Sequence, residues 1–293
     1  MEYEKRRFQL YRQGKTALDQ FYMDEDYNVP DAKSDVKRVI LSEGSVRVEE
    51  LKLAENYVRV TGDLRFTILY AADEETGGLS SMDGTLPFEE MVYMEEAPLE
   101  NLFLKGAQTE LTVTAVNSRK LNIHAMIELQ VCSEGQEEVE LTKDVEDGTS
   151  LYKRYQTGQV LKLFAVRRDT CRIREEVGIG SMQESIGELV WTDLENRKLE
   201  ARVGTGEILL QGEVLLFCFY ESPDGKADWI EQAIPYEGRI ECPGALDSMY
   251  HQIYPELKDV HIEARLDEDG EMRLLGVEAV LDVRVIHNFS ESQ

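Results

Sequence analysis

Four histidines and four cysteines are the residues of this 293-residue chain best suited to holding a metal or attacking a substrate. Zinc sites place cysteine or histidine ligands a few residues apart, so that one loop or one helical turn presents both. His124, His251, His261 and His287 show no such pairing with Cys132, Cys171, Cys218 or Cys242, and no C-x-x-C occurs. His251 and His261 are the one pair that a loop would bring together, and a solvent-facing or satisfied ring is the simpler state for each histidine. Cys218 lies inside an apolar run, where a thiol packs as a small hydrophobe. Gly178-Ile179-Gly180 begins like a dinucleotide fingerprint, but Gln183 stands where the third glycine belongs and no strand–helix–strand unit surrounds it. Asp267-Glu268-Asp269-Gly270 resembles the start of a calcium loop without its terminal glutamate, and reads as a hairpin turn. Neither a G-x-S-x-G elbow nor a phosphate-cradling loop is present. These residues predict no catalytic group, no metal and no cofactor, and hence a protein that is not an enzyme.

Carboxylates offer the other route to chemistry, as acid–base pairs. With 58 acidic residues against 32 basic ones, any pair can be proposed, so the type alone selects none. The resulting net charge of −26 repels nucleic acid and anionic lipid, favours cationic partners and keeps the chain soluble. No basic stripe interleaved with aromatics opposes that field. The N-terminus lacks the apolar region of a signal peptide, and no apolar run reaches the ~20 residues a spanning helix needs. Scattered cysteines fit a reducing, cytoplasmic setting without membrane insertion.

The elements that would position any site come in two copies. Thr61-Gly62-Asp63-Leu64 to Leu69-Tyr70 matches Gln211-Gly212-Glu213-Val214 to Phe219-Tyr220 at an offset of 212 − 62 = 150. Val36, Val39 and Ile40 match Ile186, Leu189 and Val190, and Asp31 matches Ser181, at the same offset. Pro87-Phe88 pairs with Pro235-Tyr236 at 148, and Ala125 to Val131 with Ala279 to Val285 at 154, as loops of unequal length produce. The junction is placed in the acidic stretch from Gln136 to Ser150, which gives modules 1–140 (with an N-terminal arm) and 141–293.

Alternating apolar and polar residues from Leu111 to Ala115 and from Ile123 to Val131 predict strands with one buried face. Asn117-Ser118, Asp83-Gly84 and Pro223-Asp224-Gly225 are turn signals. Asp31 and Ser181 are good N-cap residues, and the apolar spacing after them predicts a short helix in each copy. Gly62 and Gly212 mark a bulge or close backbone approach, while Tyr70, Tyr220, Phe88 and Tyr236 belong to the core strands. The predicted fold class is mainly β: two tandem homologous β-sandwich or open-barrel modules, each with a short helix. A duplicated feature is explained first by fold, so Asp31, Val36, Val39, Gly62, Tyr70, Phe88, Ser181, Ile186, Leu189, Gly212, Tyr220 and Tyr236 are expected to be structural cap and core positions. Trp191 and Trp229 would line a groove if the module bound a small ligand or glycan, but Trp229 lies in a strand and is expected in the core.

The same residues carry a family resemblance. Asp26-Tyr27-Asn28-Val29-Pro30-Asp31-Ala32-Lys33 followed by Val36 to Ile40 resembles the opening motif of the SPOCS domain. Val60 to Tyr70, Pro87-Phe88 and Asn117-Ser118-Arg119-Lys120-Leu121 continue it in order. The second copy is looser, with Gly180 for Pro30 and Asp269-Gly270-Glu271 near the place of Arg119-Lys120. SPOCS domains occur in spore-coat morphogenetic proteins of endospore-forming Firmicutes, SipL-like proteins among them. The resemblance implies a non-catalytic scaffold or adaptor on the mother-cell side of the forespore, acting through protein–protein contacts. Its implied partner is a polymerising spore-coat ATPase or another coat protein, with a small-ligand or glycan-binding module as the alternative. That ATPase contact is associated with a LysM module, a pattern not found in these 293 residues, so the resemblance assigns it to no residue here.

Overall fold

The computed structural model describes residues 2–73, 77–96, 98–146 and 152–292. Strands run through nearly all of it, thirteen in number among the described residues: β1 (Glu2–Gln13), β2 (Ala17–Asn28), β3 (Val36–Ala54), β4 (Tyr57–Ala72), β5 (Leu79–Tyr93), β6 (Asn101–Asn117), β7 (Lys120–Glu146), β8 (Gln159–Gly178), β9 (Glu188–Val203), β10 (Glu207–Glu221), β11 (Ala227–Glu241), β12 (Tyr250–Leu266) and β13 (Met272–Ser292). No helix of the described residues is long and apolar enough to cross a membrane.

Two modules repeat one topology. In the first, β7 lies between β2 and β6 in one antiparallel sheet, and β4 lies between β3 and β5 in another. In the second, β13 lies between β8 and β12, and β10 between β9 and β11. The central strands bury every second residue: Val58, Val60, Leu64, Phe66, Ile68 and Tyr70 on β4, and Ile208, Leu210, Val214, Leu216, Cys218 and Tyr220 on β10. They meet the inward residues of β7 (Leu121 to Val131) or β13 (Leu275 to Val285) in one core per copy, which makes each module a β-sandwich.

Register repeats with the topology. Gly62 faces Phe88 and Gly212 faces Tyr236; Asp63 faces Pro87 and Glu213 faces Pro235. Ala71 faces Leu79 across eight residues (79 − 71) and Glu221 faces Ala227 across six (227 − 221), so the drift from offset 150 to 148 is one hairpin shortened by two residues.

Two expectations are corrected. First, neither copy has the predicted short helix. Only seven residues, 29–35, separate β2 from β3, and nine, 179–187, separate β8 from β9; both segments are turns. The helical spacing of Val36, Val39 and Ile40 comes instead from bulges in β3, at Val36/Arg38 and Val39/Leu41. An extra residue per bulge stretches a period of two toward three. Second, Asp83-Gly84 is no turn but mid-strand in β5, where the absent side chain of Gly84 makes room for the Phe66 ring on the facing strand. The acidic stretch Gln136 to Ser150 is strand as far as it is described, because β7 continues to Glu146; residues 147–150 lie outside the described residues.

The compact units are Tyr11–Gln136 and, separately, Met1–Leu10 with Glu137–Gln293. The N-terminal arm assigned to module 1–140 therefore belongs to the second unit. Phe8 explains this: it is buried to 1% exposure there, with the Lys162 ammonium 5.1 Å from its ring centre. Burying a phenyl side chain contributes about 2–3 kcal/mol, enough to order a strand end whose other side chains face water. Around it, Lys5 and Arg7 both reach Glu140, and Lys143 reaches Glu4.

Candidate functional site

The polar side chains that both copies place alike converge on the turn leading from one sheet to the other. In the first copy this turn follows β2. The Arg119 guanidinium donates to the carbonyls of Lys33 (2.6 Å), Pro30 (3.0 Å) and Val29 (3.1 Å), and to Asp35 (3.2 Å). The Tyr70 hydroxyl donates to the Ser34 carbonyl at 3.2 Å. Backbone bonds from Val29 N to Arg119 O and from Val36 N to Ser118 O bracket the cluster, each 2.9 Å long. The second copy repeats it. Arg273 donates to the carbonyls of Gly180 (2.8 Å) and Gln183 (3.0 Å), and the Tyr220 hydroxyl to that of Glu184 (2.9 Å). Ile179 N and Ile186 N bond to Arg273 O (3.0 Å) and Met272 O (2.8 Å).

A guanidinium is suited to this task because its fan of fixed N–H donors satisfies several carbonyls at once. A carbonyl shielded from water and left unpaired costs about 1–3 kcal/mol, and the bonds to Val29, Lys33 and Gln183 are part-buried. Each arginine thus fastens the turn through its backbone carbonyls, and Arg119 pairs with the Asp35 carboxylate besides. Burial pushes the Tyr220 phenol up to about 12, helped by the nearby Asp228 carboxylate, so it stays a donor at neutral pH.

Around these clamps the duplicated positions fall into place. Val36, Ile186, Tyr70 and Tyr220 are buried, Tyr236 is 7% exposed, and Val39, Leu189 and Phe88 pack against their cores from partly buried positions. Phe88 meets Phe21 at 5.3 Å between ring centres. Gly62 lies against Arg47 and Val48 at a bulge of β3, and Gly212 lies under the Tyr236 ring. Asp31 and Ser181 cap no helix; both sit exposed in the turns, Asp31 3.8 Å from Arg119.

Arg273 was not visible as the partner of Arg119 because the second hairpin turn is longer and places Asp269-Gly270-Glu271 near the expected position. Its signal was the offset, 273 − 119 = 154, which is that of the final strand.

The groups with chemical potential do not assemble. His251 and His261 lie on the same strand, β12, ten residues apart (261 − 251), so no loop brings them together. His251 instead faces His287 across β12 and β13. His287 is wholly buried with neither ring nitrogen hydrogen-bonded, and burial, then the charges of His251 and Arg167, hold its pKa below the ordinary value. His124 lies beside Asp24 and stacks on Tyr22, and His261 lies beside Glu263. The four cysteines are free thiols, and burial pushes that of Cys218 up to about 12. The Asp267 carboxylate accepts from the amides of Asp269 and Glu271 in a turn closed by Gly270 at φ +79°. Among the described residues no three metal-ligating side chains form a group.

A cleft of about 400 Å³ opens in the first unit where β1 gives way to β2. Its two carboxylates, Glu95 and Glu96, both point at Lys15, at 3.8 and 2.8 Å. The hydrogen bond to Glu96, then the charges of Glu96 and Glu95, hold the Lys15 ammonium above its ordinary pKa.

A family model described as SipL, SPOCS domain matches residues 35–119 and again residues 185–265, together more than half of the chain. The starts of the two matches lie 185 − 35 = 150 residues apart, the offset of the repeat. No curated protein and no solved structure matches the chain.

Two outcomes follow for the second copy, which holds both tryptophans. Arg273→Met should lower its stability by about 3 kcal/mol and Tyr220→Phe by about 1 kcal/mol, read by tryptophan emission in urea; loss of less than about 0.5 kcal/mol in Arg273→Met would contradict the clamp. Because the folded pKa of His287 lies below that of the unfolded chain, its contribution is complete above about pH 6.5 and is lost as pH falls toward the folded value. The urea midpoint should therefore drop between pH 7.5 and 5.5, and His287→Phe should remove part of that drop; an unchanged pH dependence would refute the assignment.

Proposed function

The chain belongs to the SipL, SPOCS domain family, and on that premise we propose that it is a non-catalytic scaffold in the assembly of the spore coat or envelope, acting through protein–protein contacts. The family ties the chain to sporulation. One observation supports a scaffold above all: the polar side chains that both copies share bond to the backbone carbonyls of the inter-sheet turn. Residues repeated for an active site would converge on substrate; these converge on the protein's own carbonyls.

The partner in this reading is a polymerising coat ATPase or another coat protein, met on the cytoplasmic, mother-cell side of the forespore. The acidic surface favours partners with cationic patches and disfavours nucleic acid and anionic membrane. In a sporulating host, deleting the gene should displace coat protein from the forespore surface, as seen with a fluorescent coat fusion. A coat that still encases the forespore in the deletion strain would remove the proposal.

A further inference from the structure

The outer face of the β9–β10–β11 sheet holds a feature that the fold does not require. Trp191, Phe219 and Trp229 stand in one row across the three strands, all on the side away from the core. The next row is Asp193, Phe217 and Glu231, and beyond it Leu215 stands between Glu195 and Ala233. None of the aromatic residues belongs to the core cluster, and Trp229 is 60% exposed. The expectation that Trp229 packs inward is thus corrected: its neighbour Ile230 takes the inward position, and adjacent strand residues point to opposite faces.

The first copy shows what the same fold accepts there. Its equivalent rows are Leu41, Leu69 and Ser81, and then Glu43, Thr67 and Asp83, with Arg65 where the second copy has Leu215. Serine, threonine and arginine suffice for the sheet, so Trp229, Phe217 and Leu215 are not needed to hold it together. Exposed apolar rows rimmed by charge mark interaction surfaces.

We infer that this face docks a protein segment in which arginine or lysine alternates with apolar side chains. The inference deepens the scaffold reading and rests on it. Charge selects the occupant: Asp193 and Glu231 flank Phe217, and Glu188 and Glu221 lie beyond the tryptophan row. A guanidinium stacks on an indole face while pairing with a carboxylate beside it, and the apolar residues cover Phe217 and Leu215. A second copy of this chain would bring the same acids against themselves, and an anionic lipid surface would be repelled.

Both tryptophans of the chain lie in this row, so intrinsic emission reports on it alone. The full chain is titrated with a short peptide of alternating arginine and leucine, beside peptides with serine for leucine or glutamate for arginine and a neutral chitin oligosaccharide. The arginine–leucine peptide alone should give a saturable blue shift. Its affinity should fall about tenfold in Phe217→Ser and in the doubly reversed Asp193→Lys, Glu231→Lys chain, and stay unchanged in Leu69→Ser on the first copy. Equal binding of the arginine–serine peptide, an equal loss in Leu69→Ser, a shift caused by the oligosaccharide, or no shift with any probe would each overturn the assignment. A Phe217→Ser chain that still restores coat assembly to the deletion strain would retire this surface and leave the scaffold reading standing.

Discussion

In each copy a single guanidinium gathers the backbone carbonyls of the turn that carries the chain from one sheet to the other. Everything else in the module depends on that turn. It sets where β3 or β9 begins over the opposite sheet, and so which residues of β4 and β10 meet those of β7 and β13 in the core. Within the turns Lys33 N and Gln183 N bond to the Pro30 and Gly180 carbonyls, and the arginines add donors to these and to the carbonyls of Val29, Lys33 and Gln183, beside the buried Tyr70 or Tyr220. Arg119, just before β7, and Arg273, at the start of β13, supply these donors and so tie the inter-sheet turn to the final strand of each module. The consequence is a fold closed by contacts between residues about 90 positions apart, slow to find and firmly set once formed.

The doubling was legible because core residues tolerate little change in spacing along a strand. Gly62 and Gly212, or Tyr70 and Tyr220, keep one offset since each pair lies within a single central strand. Alternation identified β6 and β7 for the same reason. What misled were places where alternation is interrupted: the bulges of β3 turn Val36, Val39 and Ile40 into an apparent helical face, and Gly84 looks like a turn only until Phe66 is seen lying over it. Phe8 was illegible for a different reason. One buried side chain in an otherwise polar strand does not say what covers it, and here that includes Lys162, more than a hundred residues away. Trp229 had a readable signal in its neighbour Ile230.

Comparison between the copies separates structure from use. Where they agree, in the clamp, the glycine–aromatic pairs and the strand order, a sandwich needs those residues. Where they differ, above all on the outer face of β9–β10–β11, the fold accepts either set of residues. In the scaffold proposed above, the shared interior fastenings would build both copies and the unshared aromatic face would give the second its own contact.

The dependence on the clamped turn is tested most directly by residue-resolved hydrogen exchange of the intact protein. The amides of Val29 and Val36, and of Ile179 and Ile186, bond to the backbone beside the two arginines, so all four should exchange as slowly as core amides of the central strands. Exchange of those four at the rate of exposed loops, while the central strands remain protected, would contradict the account.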